Sequence, residues 1–233
     1  MPRPLTVLAG LRLVDLTAPL SERTPCYPGD PPFLRRWHAN FSEHGFYVSK
    51  LEMGAHAGTH VDAPLHFLGA PALDVTQLPL SRFCGEAVAL DTPKNPGEDV
   101  TIADLEGADI HGGDIVLFRT GWERRAGSPA FFEDHWPGFD PALVEDLSRR
   151  GVKALGGDIA SADGPAALAA GAPAHQAAGR AGMPIFEALI NLDQVVGKRF
   201  LFVGFPLLLQ GGEASPIRAV ALLGDHGRMR EVS

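Results

Sequence analysis

One twelve-residue stretch decides how the chain is interpreted, His56-Ala-Gly-Thr-His60-Val-Asp62-Ala-Pro-Leu-His66-Phe67. It contains three histidines and one aspartate, all at even-numbered positions. In an extended backbone the side chains alternate between two faces, so these four would point in the same direction. Gly58 and Pro64 argue against one continuous helix through the stretch. The spacing therefore predicts that three imidazoles and a carboxylate converge.

This set of side chains is typical of a metal site, because imidazole and carboxylate groups are ligands of zinc, manganese and iron. The pattern is not the helical His-Glu-x-x-His of zinc proteases, since Ala57 and Gly58 follow His56. Structural zinc sites are usually closed by cysteines, and both cysteines, Cys26 and Cys84, lie outside the stretch. A site with an open position for water or substrate is predicted, in preference to core histidines that each bind a backbone carbonyl.

The composition narrows the partners that the chain can have. We predict one domain over residues 1–233, because no linker, charge block or repeat divides the sequence. A net charge of −8 argues against nucleic acid or an anionic membrane as partner. Two cysteines fit a reducing compartment, and the N-terminal stretch is a poor signal peptide. We therefore expect a cytoplasmic protein that acts on a small molecule.

Local patterns predict more strands than helices and hence a mixed α/β domain. Strands are predicted at Leu11–Thr17, Val48–Met53, Ala87–Asp91, Ile115–Arg119, Ala154–Gly157, Phe200–Phe205 and Ile217–Leu222. Helices are predicted at Pro141–Arg150 with Asp140 as N-cap, near Ile102–Glu106, from about Pro184 to Leu192 and in part of Pro165–Ala178.

Two further segments can be interpreted in two ways. The proline-rich loop from Thr24 to Pro32 carries Tyr27 and Asp30, and it either lines a pocket or only connects elements. The aromatic residues Phe41, Phe46 and Tyr47 follow it. We expect them to pack in the core, with a pocket wall as the alternative.

With these motifs in view, the chain resembles the cyclase family of metal-dependent hydrolases, which includes bacterial kynurenine formamidase and isatin hydrolase. The pattern from His56 to Phe67 is similar to the characteristic motif of the family. Further similarities are Tyr27-Pro-Gly-Asp30, Gly157-Asp-Ile-Ala-Ser-Ala-Asp163, the pair His175 and Glu187, and Ser215-Pro-Ile-Arg-Ala-Val220. The resemblance covers most of the chain.

The resemblance implies a swivelling β/β/α fold, a homodimer and a two-metal arrangement. His56, His60 and Asp62 would hold the first ion, and Asp62 would bridge to a second ion that His175 and Glu187 also hold. Zn²⁺ or Mn²⁺, as one or two ions per subunit, would be the cofactor. His66 would be a general acid/base and not a ligand, and Tyr27 would contact the substrate.

The implied reaction is hydrolysis of an amide-type C–N bond by water that the metal activates. Candidate substrates are an N-formyl arylamine, such as N-formylkynurenine, and a cyclic amide. Kynurenine formamidases commonly have tryptophan and alanine where this chain has Tyr27 and Thr59. Amide hydrolysis is therefore better founded than any one substrate.

Two alternatives from other classes remain. A non-haem Fe(II) oxygenase would use a facial triad of His60, Asp62 and His111, with Arg119 binding an acid. It leaves the other histidines of the motif, and the pair His175 and Glu187, without a role. A metal-binding protein without catalytic activity would have no use for an acid/base at His66.

Overall fold

A computed structural model describes residues 10–133 and 135–224 of the chain. Its strands are β1 Leu11–Asp15, β2 Leu34–Ala39, β3 Val48–Glu52, β4 His60–Asp62, β5 Cys84–Asp91, β6 Ile115–Arg119, β7 Ala154–Gly157, β8 Ile185–Glu187, β9 Arg199–Val203, β10 Ala214–Pro216 and β11 Val220–Gly224. Its α-helices are α1 Phe41–His44, α2 Leu65–Leu68, α3 Ala130–Glu133, α4 Pro141–Arg149, α5 Pro165–Ala169 and α6 Pro173–Arg180. Within the described ranges, no helix is long and apolar enough to cross a membrane.

Nine of the strands form one mixed sheet in the order β1-β11-β9-β5-β6-β7-β8-β4-β10. The central strands β5, β6, β7 and β8 pair in parallel, and the strands that flank them pair antiparallel. The short strand β4 lies between β8 and β10 near one edge. The mixed α/β prediction is confirmed.

Both faces of the central sheet are buried, as expected for parallel strands. Along β6, Ile115 and Leu117 pack into one hydrophobic cluster, while Val116 and Phe118 pack into the other. The helices α4 and α6 cover the second cluster. Close approach of the strands requires glycine in β7, because a Cβ at Gly156 would lie 2.2 Å from the carbonyl oxygen of Phe186.

Most of the predicted elements are present. Strands β6 and β7 have the predicted bounds, and β1, β3, β5 and β9 differ from the predictions only at their ends. The predicted last strand, Ile217–Leu222, overlaps only the first residues of β11 and begins after β10 has ended. Helix α4 begins after Asp140, whose side chain accepts a hydrogen bond from the backbone N–H of Ala142. The element at Ile102–Leu105 is a 3₁₀ helix, and α5 and α6 occupy the predicted alanine-rich stretch.

The helix predicted from about Pro184 to Leu192 is wrong. The segment begins with strand β8, in which Ile185 and Phe186 pack on opposite faces of the sheet. Ala188 and Asn191 then have positive φ angles of 52° and 59°, which no α-helix allows. A short apolar run looks the same in a buried strand as in a buried helix, so the sequence pattern could not distinguish the two.

The expectation that Phe41, Phe46 and Tyr47 pack in the core is also wrong. They lie on or beside a separate two-stranded hairpin formed by β2, α1 and β3. The exposed fractions of the three residues are 61%, 55% and 61%. The hairpin projects its side chains away from both hydrophobic clusters, which are built on the nine-stranded sheet.

Candidate metal centre

The centre is built on strands β4 and β8, which place their side chains opposite one another. His60 pairs directly with Glu187 in the antiparallel register. Val61 packs into the first hydrophobic cluster, so its neighbours His60 and Asp62 face the other side of the sheet. All three residues of β4 are buried. The backbone pairing therefore holds two carboxylates and an imidazole together away from water.

The turn before β4 fixes the ring of His60. Gly58 has a φ of +63°, and a Cβ there would lie 2.7 Å from the side chain of Leu20. Its carbonyl oxygen lies 2.9 Å from His60 Nδ1, which leaves Nε2 to face the centre. The hydroxyl of Thr59 donates to the Ala188 carbonyl oxygen at 2.7 Å, next to Glu187. Gly58 and Thr59 thus orient the residues that follow them.

Asp62 lies in the middle of the cluster. Its Oδ1 is 2.8 Å from His56 Nδ1 and 3.2 Å from His60 Nε2. Its Oδ2 is 3.6 Å from His175 Nε2, which is itself 3.4 Å from Glu187 Oε1. Each carboxylate oxygen of Asp62 therefore faces a different group of potential ligands.

The unpaired polar atoms of the cluster fit a bound cation. Three buried atoms, His60 Nε2 and both carboxylate oxygens of Asp62, form no hydrogen bond of normal geometry with the described residues. Buried polar atoms are almost always paired, so atoms that approach closely without bonding need another partner. Two overlapping ligand groups share Asp62: one includes His56 and His66, and the other includes His60 and Glu187. Nitrogen and oxygen donors of this kind suit first-row divalent ions.

His175 is held from behind by a second carboxylate. Its Nδ1 lies 2.6 Å from Asp163 Oδ2, and its backbone N–H donates to the same oxygen at 3.0 Å. This leaves Nε2 to face Asp62 and Glu187, as in the carboxylate–histidine–metal arrangement of many metalloproteins. Glu187 is fixed in turn by the backbone N–H of Ala162, which donates to Oε1 at 2.7 Å.

The pKa shifts show a strong preference of the cluster for positive charge. Burial alone would lower the pKa of His60, but the carboxylates of Asp62 and Glu187 outweigh it and raise the pKa to about 9. Burial also opposes the charged form of His175, yet contacts with Asp163, Asp62 and Glu187 raise its pKa well above the usual value. The carboxylates thus favour positive charge at these positions, which a divalent ion would supply.

His66 belongs to the same cluster but reaches it from another element. It lies on α2, and its ring centroid is 4.1 Å from that of His56 and 5.8 Å from that of His175. Burial, together with the neighbouring imidazoles, lowers its pKa to about 4 despite the charge of Asp62. The motif therefore converges as predicted, but not from one extended segment. His56 is in a turn, His60 and Asp62 are on a strand, and His66 is on a helix.

The cluster opens into a cavity of about 480 Å³, named here the metal-site cavity. Five of its lining residues are the histidines and the glutamate of the centre, His56, His60, His66, His175 and Glu187. Tyr27 lines it as well, in edge-to-face contact with Phe132 at 6.0 Å. The proline-rich loop therefore lines a pocket. A concave site with aromatic walls and a few convergent polar groups is typical of small-molecule binding.

The structure does not bring His111 to this centre. Its imidazole is 61% exposed and lies 2.9 Å from Asp109 Oδ1. Neither ligand group found among the described residues includes it. The facial triad of the oxygenase alternative is therefore not formed.

Sequence reasoning assigned no role to two carboxylates at the centre. Asp163 ends one of the segments that resemble the family, but its contact with His175 depends on how α6 docks. Glu213, whose Oε1 is 3.6 Å from His56 Nε2, gave no signal. It precedes β10 and reaches the centre because β10 pairs with β4.

Comparison with known proteins agrees with this architecture. Residues 14–164 match the family described as putative cyclase. A kynurenine formamidase from Geobacillus thermodenitrificans is 35% identical over 210 residues, which cover 88% of this chain and 95% of the relative. A kynurenine formamidase from Sphingopyxis alaskensis is 33% identical over 90% of this chain and 97% of its own.

Solved structures show the same fold. An isatin hydrolase bound to the product analogue thioisatinate has a TM-score of 0.85 at 26% identity, covering 94% of this chain and 95% of its own. Isatin hydrolase A from Ralstonia solanacearum has a TM-score of 0.83 at 29% identity, covering 95% and 98%. A potential metal-dependent hydrolase with cyclase activity has a TM-score of 0.75 at 27% identity, covering 94% and 100%. The expected fold is confirmed.

Proposed function

We propose that the chain, which belongs to the putative cyclase family, is a metal-dependent hydrolase of amide-type C–N bonds. The observation that carries this proposal is the buried cluster around Asp62, which combines unpaired ligand atoms with an adjacent open cavity. Relatives named kynurenine formamidase and isatin hydrolase support it. The proposed substrates are N-formyl arylamines, such as N-formylkynurenine, and cyclic amides.

The proposed ligands form two sets that share Asp62. His56 and His60 belong to the set on the Oδ1 side, and His175 and Glu187 to the set on the Oδ2 side. The separations of 2.8 and 3.2 Å on one side and 3.6 Å on the other support this division. His60 Nε2 also lies 3.5 Å from Glu187 Oε2, so His60 is within reach of both sets. We propose one or two ions of Zn²⁺ or Mn²⁺ per subunit. Such an ion lowers the pKa of a coordinated water from about 15.7 to near 7 and polarises the scissile carbonyl.

His66 is proposed as the general acid/base. Its ring lies beside His56 and lines the metal-site cavity, where a substrate amide would be bound. An imidazole there can accept a proton from the attacking water and return it to the leaving nitrogen. Burial and the neighbouring imidazoles lower its pKa, so the ring is neutral near pH 7 but a weaker base than a free imidazole. This role differs from that of His60 and His175, whose outer nitrogens are fixed by Gly58 and Asp163.

The cavity walls are proposed to orient the substrate. Phe67, Phe132 and Leu168 provide an apolar surface beside the scissile bond, and Tyr27 lines the same cavity. Aromatic walls exclude water, which strengthens the electrostatic interactions of the centre. Tyr27 is therefore assigned to substrate binding.

A homodimer is proposed as the assembly, through the β2–β3 hairpin. The ring centroids of Trp37 and Tyr47 lie 4.7 Å apart on its surface with a tilt of 41° between the rings, and Phe41 stacks on Tyr47 to extend this patch. Exposed apolar patches of this kind mark interaction sites, and an isolated two-stranded hairpin is only marginally stable in water. The same hairpin carries Arg36 and Glu52, so two copies related by a two-fold axis can pair opposite charges.

The test combines elemental analysis with an assay panel. Purified protein loaded with Zn²⁺ or Mn²⁺ is assayed on N-formyl arylamines, cyclic amides and lactones of matched size. We expect hydrolysis of members of the first two classes and its loss after chelation. Hydrolysis of lactones alone, or activity that persists without metal, would contradict the proposal.

A separate measurement addresses the number of ions. Glu187→Gln is expected to lower the metal content per subunit while the set on the Oδ1 side stays partly filled. If the native protein never binds more than one ion under metal excess, the two-ion arrangement is wrong. His175 and Glu187 would then position water or substrate.

A further inference from the structure

A second cavity adjoins the centre on its other side. It measures about 220 Å³ and shares His56 and His60 with the metal-site cavity. Its remaining walls are mainly apolar and include Phe131, Phe132 and Ala188. We name it the side chamber. An apolar cavity of roughly 150 Å³ is enough to hold a benzene ring, so the side chamber has room for the aryl part of a small substrate.

The rim of the side chamber carries one cationic side chain, Arg23. Arg23 is exposed and has no ion-pair partner within the described ranges of the chain. Arg119, Arg199 and Arg218 each bind an aspartate, but other exposed arginines of the described chain also have no acidic partner. Arg23 is distinguished from them by its place in the lining of the side chamber. A guanidinium without a protein partner beside an apolar chamber is available to a ligand anion.

The backbone that carries Arg23 is fixed by a tight turn. The N–H of Thr24 donates to the Ser21 carbonyl oxygen at 2.8 Å, and the N–H of Ser21 donates to Thr24 Oγ1, also at 2.8 Å. The N–H of Arg23 donates to Ser21 Oγ at 3.2 Å. The hydroxyl of Thr59 accepts the N–H of Ala18 at 2.9 Å and so connects this segment to the centre. The hydrogen-bonded turn therefore fixes the backbone of Arg23 beside the chamber.

The two cavities differ in the sign of the charge at their edges. The metal-site cavity is lined by Asp30 and Glu213, which would repel an anionic group. The side chamber is lined by Arg23 and by no acidic residue among those described. A substrate with its amide at the centre and a carboxylate at its far end would therefore place that carboxylate in the side chamber.

We infer that Arg23 is a specificity-determining residue which selects aryl amide substrates that carry a carboxylate remote from the scissile bond. This inference rests on the proposed amide hydrolysis. The scissile bond lies at the cluster around Asp62, the ring lies against Phe131 and Phe132, and the carboxylate lies against Arg23. Because the contact is far from the reacting atoms, it acts on substrate binding more than on the chemical step.

The experiment compares two substrates and two charge-removing variants. The substrates are an N-formyl arylamine with a ring-side carboxylate and the matching neutral primary amide. Arg23→Gln is expected to raise KM for the carboxylate substrate about 5- to 30-fold, with kcat little changed, because an exposed charged hydrogen bond is worth less than a buried one. KM for the neutral amide stays unchanged. Arg23→Lys restores part of the binding, and added salt weakens binding only where the cation is present.

Arg149→Gln serves as the matched control, since it removes one positive charge from the exposed end of α4 and lines neither cavity. Calorimetric binding of the aryl carboxylate product to metal-loaded protein gives a second readout. Equal effects of Arg23→Gln on both substrates, or none, would overturn the role of Arg23 while amide hydrolysis stands. If neither substrate is hydrolysed but the carboxylate product binds in an Arg23-dependent way, the proposed reaction fails and the anion site stands. Binding that does not depend on Arg23 overturns the site itself.

Discussion

Strand β4 and the β2–β3 hairpin each place side chains in an unfavourable environment, but of opposite kinds. Strand β4 buries charged side chains, whereas the hairpin exposes aromatic ones. In β4, His60 and Asp62 are only 3% exposed, although burying charged groups without partners is costly. On the hairpin, Trp37 and Tyr47 are 51% and 61% exposed, although aromatic side chains gain most from burial. Neither arrangement serves the stability of an isolated chain. The proposed partners are a cation for the strand and a second copy of the chain for the hairpin.

The first test removes the carboxylate of Asp62, which both ligand sets share. Asp62→Asn is expected to abolish metal binding in both ligand sets and to lower kcat/KM about 10³-fold or more, because several kcal/mol of transition-state stabilisation are lost with the ion. Elemental analysis and kinetics measure both effects. His111→Ala is the control and should keep its metal. Full metal occupancy in Asp62→Asn would show that the cluster is not the metal site.

The second change separates chemistry from metal binding within the same cluster. His66→Ala is expected to keep its metal and to lose a factor of about 10² to 10⁴ in kcat, the usual contribution of a general acid/base. KM changes less, since the proton transfer belongs to the transition state. His66→Asn should behave in the same way because an amide cannot carry the proton. If metal content falls together with kcat, His66 is a ligand instead.

The contrast also shows what a sequence can reveal. The convergence of His56, His60, Asp62 and His66 was predictable because all four lie within eleven residues. Strand β6 was predictable because its run of β-branched and aromatic residues is bounded by Asp114 and Gly121. Helix α4 was predictable from its cap, Asp140, and from Pro141 at its first turn.

The remaining features depend on contacts between distant segments. Strand β4 has only three residues, and no local pattern distinguishes it from a turn. The apolar run of β8 resembled a helix because its period could not be read over three residues. Asp163 reaches His175 only because α6 begins beside it, and the side chamber combines segments around residues 18–25, 126–132, 160 and 188. Exposure of Trp37 and Tyr47 follows from where the hairpin docks, which its own sequence does not encode.

A third prediction concerns the outer support of the centre. Asp163→Asn weakens the hydrogen bond that fixes the His175 ring, and it is expected to lower metal affinity at the Oδ2 side about 10- to 100-fold. The set that contains His56 and His60 should be affected less. Titration against a competing chelator measures both affinities. Asp140→Asn, which keeps a good N-cap on α4, is the control. Unchanged affinities would mean that Asp163 has only a structural role.

The last prediction concerns the hairpin, where the effect on chemistry should be smallest. Replacing Trp37 and Tyr47 together by serine removes the pair of contacting aromatic rings at the centre of the exposed patch. Buried aromatic residues dominate most interfaces, so the dissociation constant of the dimer should rise about 30-fold or more. Light scattering over a range of protein concentrations measures the shift, and metal content per subunit should stay constant because neither residue lines the metal-site cavity. Leu208→Ser, at an 85% exposed position outside the hairpin, is the matched control and should leave the mass unchanged. A double variant with the same mass as the native protein at every concentration would exclude the hairpin as the interface, and the exposed aromatic residues would then need another partner.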